Sequence, residues 1–163
     1  MKRVLFILTI IILSLKANAQ YSFTGTATGS ITIDSMYVIT AGAGTTFTFG
    51  GVEDYANGVE KQNYAGISIK CNYNWKISVR ATTANFTAGG GGSVDMPCSI
   101  LTLRKSGDSY FAVSTSSQQL AVGNRGPTST SGNSFNIDIK ANPGYSYNGG
   151  NYSIVLQYTV TKQ

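Results

Sequence analysis

The chain contains no histidine among its 163 residues, and only 12% of its side chains are charged. Histidine is the commonest general base and a frequent metal ligand, so its absence excludes Ser-His-Asp and Cys-His catalysis. A glycosidase needs only two carboxylates across a cleft, but the seven acidic residues are scattered, and most stand beside turn signals. We therefore expect no catalytic residues, no bound metal and no cofactor, and we interpret the protein as non-enzymatic.

Long apolar runs are also missing, except at the start of the chain. Residues 1–3 are basic after the initial methionine, residues 4–15 are almost wholly apolar, and residues 17–19 read Ala-Asn-Ala. This layout is typical of a secretory signal peptide, and the apolar run is shorter than the ~20 residues of a membrane-spanning helix. We predict a signal peptide over residues 1–19 and a single mature domain over 20–163, without a transmembrane segment. The mature protein would reach the periplasm, the cell surface or the extracellular space.

Clustered positive charge is absent too. Three of the twelve basic side chains lie in the predicted signal peptide, so its removal lowers the net charge from +5 to +2. The remaining lysines and arginines are dispersed along the chain. Nucleic-acid binding would require a basic patch, so we expect no nucleic-acid partner.

Cysteine is scarce, with two residues, Cys71 and Cys98. An even pair in an exported protein predicts a disulfide, which would stabilise the fold by about 3 to 4 kcal/mol. The alternative is a pair of buried free thiols.

Strand-like alternation recurs along the chain, whereas no window has convincing helical periodicity. Residues 64–71 and 75–81 alternate on either side of Asn-Tyr-Asn and form the best hairpin candidate. Trp75 alternates in phase with the apolar residues after it, which indicates a core position. The last run, 152–160, predicts one long strand. Eight to ten short strands predict an all-β fold, namely an antiparallel β-sandwich of Ig-like or pilin-like kind, with a β-barrel as the alternative.

The stretch YSFTGTATGSITI, residues 21–33, alternates small or apolar side chains with hydroxyls throughout its length. Such alternation indicates a strand with one dry face. Either it bends at its glycine-rich centre and pairs within its own sandwich, or it adds to the sheet of another copy by β-augmentation. Self-association through this N-terminal strand is thus a predicted partnership. The candidate residues are Tyr21, Phe23, Ile31 and Ile33.

The stretch NPGYSYNGGNY holds tyrosines among asparagine, glycine, serine and proline. Flat aromatic rings beside amide side chains suit sugar rings, and antibody loops use the same residue types against proteins. The alternative is that these tyrosines pack under their own loop. The candidate ligand-binding residues are Tyr145, Tyr147 and Asn148.

Four oxygen-bearing side chains fall within eight residues, at Glu53, Asp54, Asn57 and Glu60. Calcium prefers such donors, but their spacing does not match the known loop pattern. A solvated acidic turn is the favoured interpretation.

Three stretches resemble small exported bacterial β-sandwich surface proteins of the spore-coat-U and archaic pilin kind. TFTFGGVEDYANG (46–58) resembles a Phe-Gly strand end followed by a turn, NYNWKISVRATTANF (72–86) a central hairpin, and GNYSIVLQYTVT (150–161) a closing strand. The resemblance implies a fimbrial or other surface role rather than catalysis. The expected function is therefore an exported structural or adhesive cell-surface protein, with a glycan- or protein-binding module as the alternative.

Overall fold

The computed structural model describes residues 37–40 and 44–163. The predicted signal peptide and the candidate strand residues Tyr21, Phe23, Ile31 and Ile33 lie outside these residues, so those interpretations stay predictions. No helix in the described part is long and apolar enough to span a bilayer. The secondary-structure elements, in chain order, are β1 (Tyr37–Thr40), α1 (Val52–Asn57), β2 (Val59–Cys71), β3 (Trp75–Ala81), β4 (Thr87–Gly89), a 3-10 turn (Cys98–Ile100), β5 (Leu101–Lys105), β6 (Phe111–Ala112), β7 (Gln118–Gly123), β8 (Ser134–Ala141), β9 (Asn151–Ser153) and β10 (Leu156–Lys162).

The strands form two main open sheets that pack face to face, which confirms the predicted all-β sandwich. The larger sheet has the order β1-β2-β8-β5-β6, and the smaller sheet has the order β10-β3-β7. A separate ribbon pairs β4 with β9. All of these pairings are antiparallel. Side chains alternate along the central strands, so one face of each main sheet contributes to a shared apolar core.

The predicted hairpin between residues 64–71 and 75–81 is wrong. β2 pairs with β1 and β8 in the larger sheet, whereas β3 pairs with β10 and β7 in the smaller one. The three residues between them carry the chain from one sheet to the other. Alternation demands only that the apolar face be buried, and packing across the sandwich satisfies that demand as well as pairing side by side does.

The single long strand predicted over 152–160 is interrupted. Its first part is β9, which pairs with β4, and its second part is β10, which pairs with β3. The break lies at Ile154 and Val155, where the Val155 carbonyl accepts a hydrogen bond from the backbone N–H of Thr82. Val155 itself is 64% exposed at this break.

The core is centred on Trp75 in β3, which is fully buried as predicted. Its indole Nε1 donates a 3.0 Å hydrogen bond to Oδ1 of Asn133, which is fully buried just before β8. The amide of Asn133 in turn donates to the carbonyls of Gly126 and Pro127. Gly123 of β7 lies directly against the indole, because a Cβ there would stand 2.1 Å from a ring carbon. One asparagine thus joins the two sheets and the loop before β8.

The predicted disulfide between Cys71 and Cys98 is absent, and both thiols are free and buried. Cys71 lies at the end of β2, past the residue that pairs with Phe135 near the start of β8. Cys98 lies just before β5, whose first residue pairs with Ala141 at the end of β8. Those two residues of β8 stand roughly 20 Å apart at ~3.3 Å per residue. A disulfide requires Cα atoms within about 7 Å, so the two cysteines at opposite ends of the sheet cannot be bridged.

Replacing Asn133 with alanine should lower the free energy of unfolding by about 2 to 3 kcal/mol. The substitution leaves the buried indole N–H without its acceptor, whereas the carbonyls of Gly126 and Pro127 keep backbone donors. Urea denaturation followed by tryptophan fluorescence measures the change. The matched control is Asn136→Ala in the adjacent strand β8, where the side chain is exposed and the change should stay within about 0.5 kcal/mol. Equal effects at both positions would contradict the assigned role of Asn133.

In guanidinium, the mature chain purified without reductant should show two thiols that react with Ellman's reagent. In its native state, it should show almost none. The reason is that both thiols are buried and unbonded. If the denatured chain showed no reactive thiol, the two cysteines would be joined in a disulfide and this prediction would be wrong.

Candidate functional site

Tyr145, the first predicted ligand-binding residue, lies in the loop between β8 and β9. Its hydroxyl donates a 2.9 Å hydrogen bond to the carbonyl of Val52 at the start of α1. Its ring stacks on Tyr55 with centroids 5.6 Å apart and planes inclined by 21°. Tyr145 remains 67% exposed, and Val52 is 72% exposed. The tyrosine is thus held in one position while most of its ring faces solvent.

The helix beneath Tyr145 is short and is fixed at its start by one carboxylate. Asp54 accepts hydrogen bonds from the backbone N–H groups of Gly50 and Gly51, at 2.9 and 3.0 Å. These two bonds hold the pKa of Asp54 below its ordinary value. A carboxylate in the first turn also interacts favourably with the positive end of the helix dipole. A sequence without helical periodicity therefore still forms about one and a half helical turns here.

The other acidic-turn residues also have separate partners. Glu53 accepts a 2.8 Å hydrogen bond from the side chain of Asn57, and Glu60 contacts Arg104 at 3.4 Å. Among the described residues, no three acidic, histidine or cysteine side chains gather into a group that could hold a metal ion. The oxygen donors of this turn therefore serve the local backbone and neighbouring side chains.

Asn148, another of the predicted loop residues, takes part in a different contact. Its backbone N–H donates to Oγ of Ser93, in the glycine-rich loop after β4, and its carbonyl accepts from the hydroxyl of Tyr152. Tyr152 also accepts from the N–H of Ser93. Tyr147 lies between the two attached parts of the loop and is half-buried. The structure therefore attaches Tyr145 to α1 and Asn148 to the glycine-rich loop, and gives them no common partner.

The β4–β9 ribbon has a shallow depression of about 220 Å³ on its surface. It is lined by strand residues of the ribbon alone and contains no charged group. Binding sites usually combine a deeper apolar cleft with a few convergent polar groups. We therefore place the candidate site at Tyr145 and α1 rather than in this depression.

A buried carboxylate, Asp138 of β8, was not singled out from the sequence. It is 3% exposed and accepts hydrogen bonds from the N–H of Asn63, the hydroxyl of Ser106 and Nε of Arg104, at 2.9, 2.7 and 2.8 Å. Burial alone would raise the pKa of Asp138, but these three donors outweigh it and lower the pKa. The guanidinium of Arg104 covers the ring of Tyr110 at 4.4 Å. The sequence shows only a polar residue between two isoleucines, which is the usual pattern of a solvent-facing position.

The role of this cluster is structural, because two of the three groups that Asp138 binds, Asn63 and Ser106, belong to irregular backbone. Asn63 has a positive φ of 53° and lies where the register of β2 shifts between Lys61 and Ala65. Asparagine tolerates this conformation better than most residues, and such a shift is a β-bulge. Asp138 binds the bulge on one side and the turn after β5 on the other.

The comparisons with known proteins add no relative. No protein-family model matches the chain, and no curated protein matches it.

Replacing Asp138 with asparagine should destabilise the fold by about 2 kcal/mol at pH 7, because Arg104 loses its charged acceptor. The lowered pKa of Asp138 also sets the pH dependence. Its stabilisation is complete above the unfolded pKa of about 3.9 and is lost as pH falls through the lower folded value. Urea unfolding of both proteins should therefore show a difference at pH 7 that shrinks below about pH 4. The exposed control Asp95→Asn should change stability by less than about 0.5 kcal/mol, and a gap that stays constant with pH would contradict this account.

Proposed function

We propose that the protein is an exported structural component of the cell surface and that its copies assemble by strand addition. In this proposal, residues 21–33 of one copy pair with β10 of the next. The observation that carries the proposal is the incomplete side of the sandwich along β10. No catalytic chemistry is part of it.

The edge of β10 supplies the backbone groups for such pairing. Within the described residues, β10 pairs with β3 over its whole length from Leu156 to Lys162 and has no strand on its other side. An edge strand presents a row of N–H and C=O groups that can template another strand. Seven residues of unpaired edge are enough for a ladder of ordinary strand length.

The inner face of β10 is covered less completely than that of β3. Leu156, Tyr158 and Val160 point toward the core but are only half-buried, whereas Trp75 and Ile77 of β3 are fully buried. An additional strand would remove more of this apolar row from water. Each square ångström of apolar surface buried in this way contributes about 25 cal/mol.

One buried hydroxyl in this region, that of Tyr158, is incompletely satisfied. It is shielded from solvent and forms no hydrogen bond of good geometry among the described residues, although the hydroxyl of Tyr64 is close enough to interact with it. Burial, followed by the neighbouring hydroxyl of Tyr64, raises the pKa of Tyr158. Native proteins leave few buried polar groups unsatisfied. An incoming strand with backbone and hydroxyl groups could supply the missing acceptor or donor.

The open edge lies on the β2 side of the larger sheet. At the opposite side, the chain passes directly from β6 toward β7, and the carbonyl of Ser114 there accepts a hydrogen bond from the N–H of Ala81 at the end of β3. β10 is the other edge of the smaller sheet, and its Tyr158 lies beside Tyr64 of β2. Within the described residues, the chain therefore closes the sandwich on the side of β6 and β7 and leaves the edge of β10 unpaired.

The segment 21–33 suits this edge by its alternation. In an extended strand, its apolar residues Tyr21, Phe23, Ile31 and Ile33 would fall on one face, and its serines and threonines would fall on the other. The apolar face would lie over the half-buried row of β10, while the hydroxyls would face water. The chain also begins with basic residues and an apolar run, over residues 1–15. This start supports export to a surface where such an assembly would function.

The purified mature chain should form multimers that resist sodium dodecyl sulfate and separate as a ladder without boiling. Phe23→Asp and Ile31→Asp should each abolish the ladder, because a charge on the dry face prevents burial against β10. Thr26→Asp is the matched control on the hydroxyl face and should leave the ladder intact.

A different result would overturn the assembly proposal. A chain that stays monomeric at high concentration, with residues 21–33 protected from proteolysis, would show that the strand belongs to its own sandwich. Equal loss of the ladder in Thr26→Asp would show that assembly does not depend on the dry face.

A further inference from the structure

We propose that Tyr145, together with Val52, Asn57 and Asn142, forms a platform that binds an uncharged sugar ring. This group is called the α1 platform below. It lies where the end of β8 meets α1, and it does not depend on assembly through β10. It would give the surface protein an adhesive contact with neutral glycans.

The stacking surface is one face of Tyr145. Its other face lies on Tyr55, which in turn contacts Phe49 with ring centroids 5.5 Å apart. The outermost ring is 67% exposed, whereas Tyr55 and Phe49 are half-buried. The three rings form a short column that rises from the core and ends in solvent. A pyranose presents an apolar C–H face of similar size to such a ring.

The ring is fixed before any ligand arrives. Its hydroxyl is bound to the carbonyl of Val52, and stacking on Tyr55 prevents it from folding away. Preorganised side chains lose little conformational entropy on binding, which favours affinity at a small site. A tyrosine that only filled space would be covered, yet this one is held in place with most of its surface in water.

Two asparagines whose side chains suit sugar hydroxyls lie on the two segments that carry the ring and its hydrogen-bond partner, namely the Tyr145 loop and α1. Gly58 has a positive φ of 75°, and its backbone lies against the carbonyl of Ala141 and Cβ of Asn142. This close approach brings the end of α1, with Asn57, next to the first residue of the Tyr145 loop. Both asparagines are exposed. Amide groups both donate and accept, as vicinal hydroxyls require.

The charge of the platform selects the class of sugar. Glu53 accepts a hydrogen bond from Asn57, and Asp54 lies in the same short helix. Two carboxylates on the helix that supplies Val52 and Asn57 would repel sialic and uronic acids. One lysine, Lys140, also lies here, since a Cβ added to Gly58 would stand 3.0 Å from its Cε, so the acidic side chains outnumber it by two to one. Neutral hexopyranoses are therefore the ligand class that the platform fits.

The test is an oligosaccharide array that carries cello-, manno- and galacto-oligosaccharides, lactose and sialyl-lactose, probed with the labelled mature chain. We expect binding to at least one neutral series and weaker binding to sialyl-lactose than to lactose. Tyr145→Ala should reduce the bound signal about tenfold, whereas Tyr145→Phe, which keeps the ring, should stay within about threefold.

Two further variants separate recognition from folding. Val52→Ser keeps the carbonyl that holds Tyr145 but removes exposed apolar surface, so it should weaken binding with an unchanged melting temperature. Val155→Ala, an equally exposed apolar position outside the platform, should leave binding unchanged. No binding to any neutral oligosaccharide, or equal binding by wild type and Tyr145→Ala, would overturn the proposal. The ladder assay on Tyr145→Ala reports assembly separately, so failure of one proposal is distinguishable from failure of the other.

Discussion

The hydrogen bond between the indole of Trp75 and the side chain of Asn133 is the interaction on which the sandwich depends most. Trp75 is the largest fully buried side chain, and its N–H must be paired once it leaves water. Asn133 meets this need from the other sheet and uses its own amide to hold the loop before β8. Because Gly123 lies against the ring, β7 can approach only without a side chain there. The central strand β3 is therefore fixed between β7 and the larger sheet.

This fixed centre explains why the two sides of the sandwich differ. Around β3, every inward side chain is buried, and the chain itself closes the side of β6 and β7. Along β10, the inward residues stay half-buried and the strand edge is unpaired within the described residues. The inward side chains of β3 are thus removed from water more completely than those of β10. The Asp138 cluster lies within the larger sheet. Asp138 accepts a hydrogen bond from the backbone of the bulge in β2, and β10 takes no part in that contact.

Alternation predicted much of this fold but could not identify strand partners. It located β3 closely and placed Trp75 in the core, since this strand buries one face. It could not tell that β2 and β3 face each other across the sandwich, because either arrangement buries the same side chains. The position of Cys98 depends on strand order, so the expected disulfide was unreliable. Asp138 and the division of the Tyr145 loop depend on contacts between residues distant in sequence, and no local pattern reports them.

The central claim is that β10 is an open edge that a strand from another copy completes. Amide hydrogen exchange along Leu156–Lys162, measured in the monomeric and the assembled mature chain, tests it most directly. The account predicts that the β10 amides directed away from β3 exchange rapidly in the monomer and slowly in the assembly, while the amides of β3 remain slow in both. Amides of β10 that are already slow in the monomer, or rates that do not change on assembly, would contradict it.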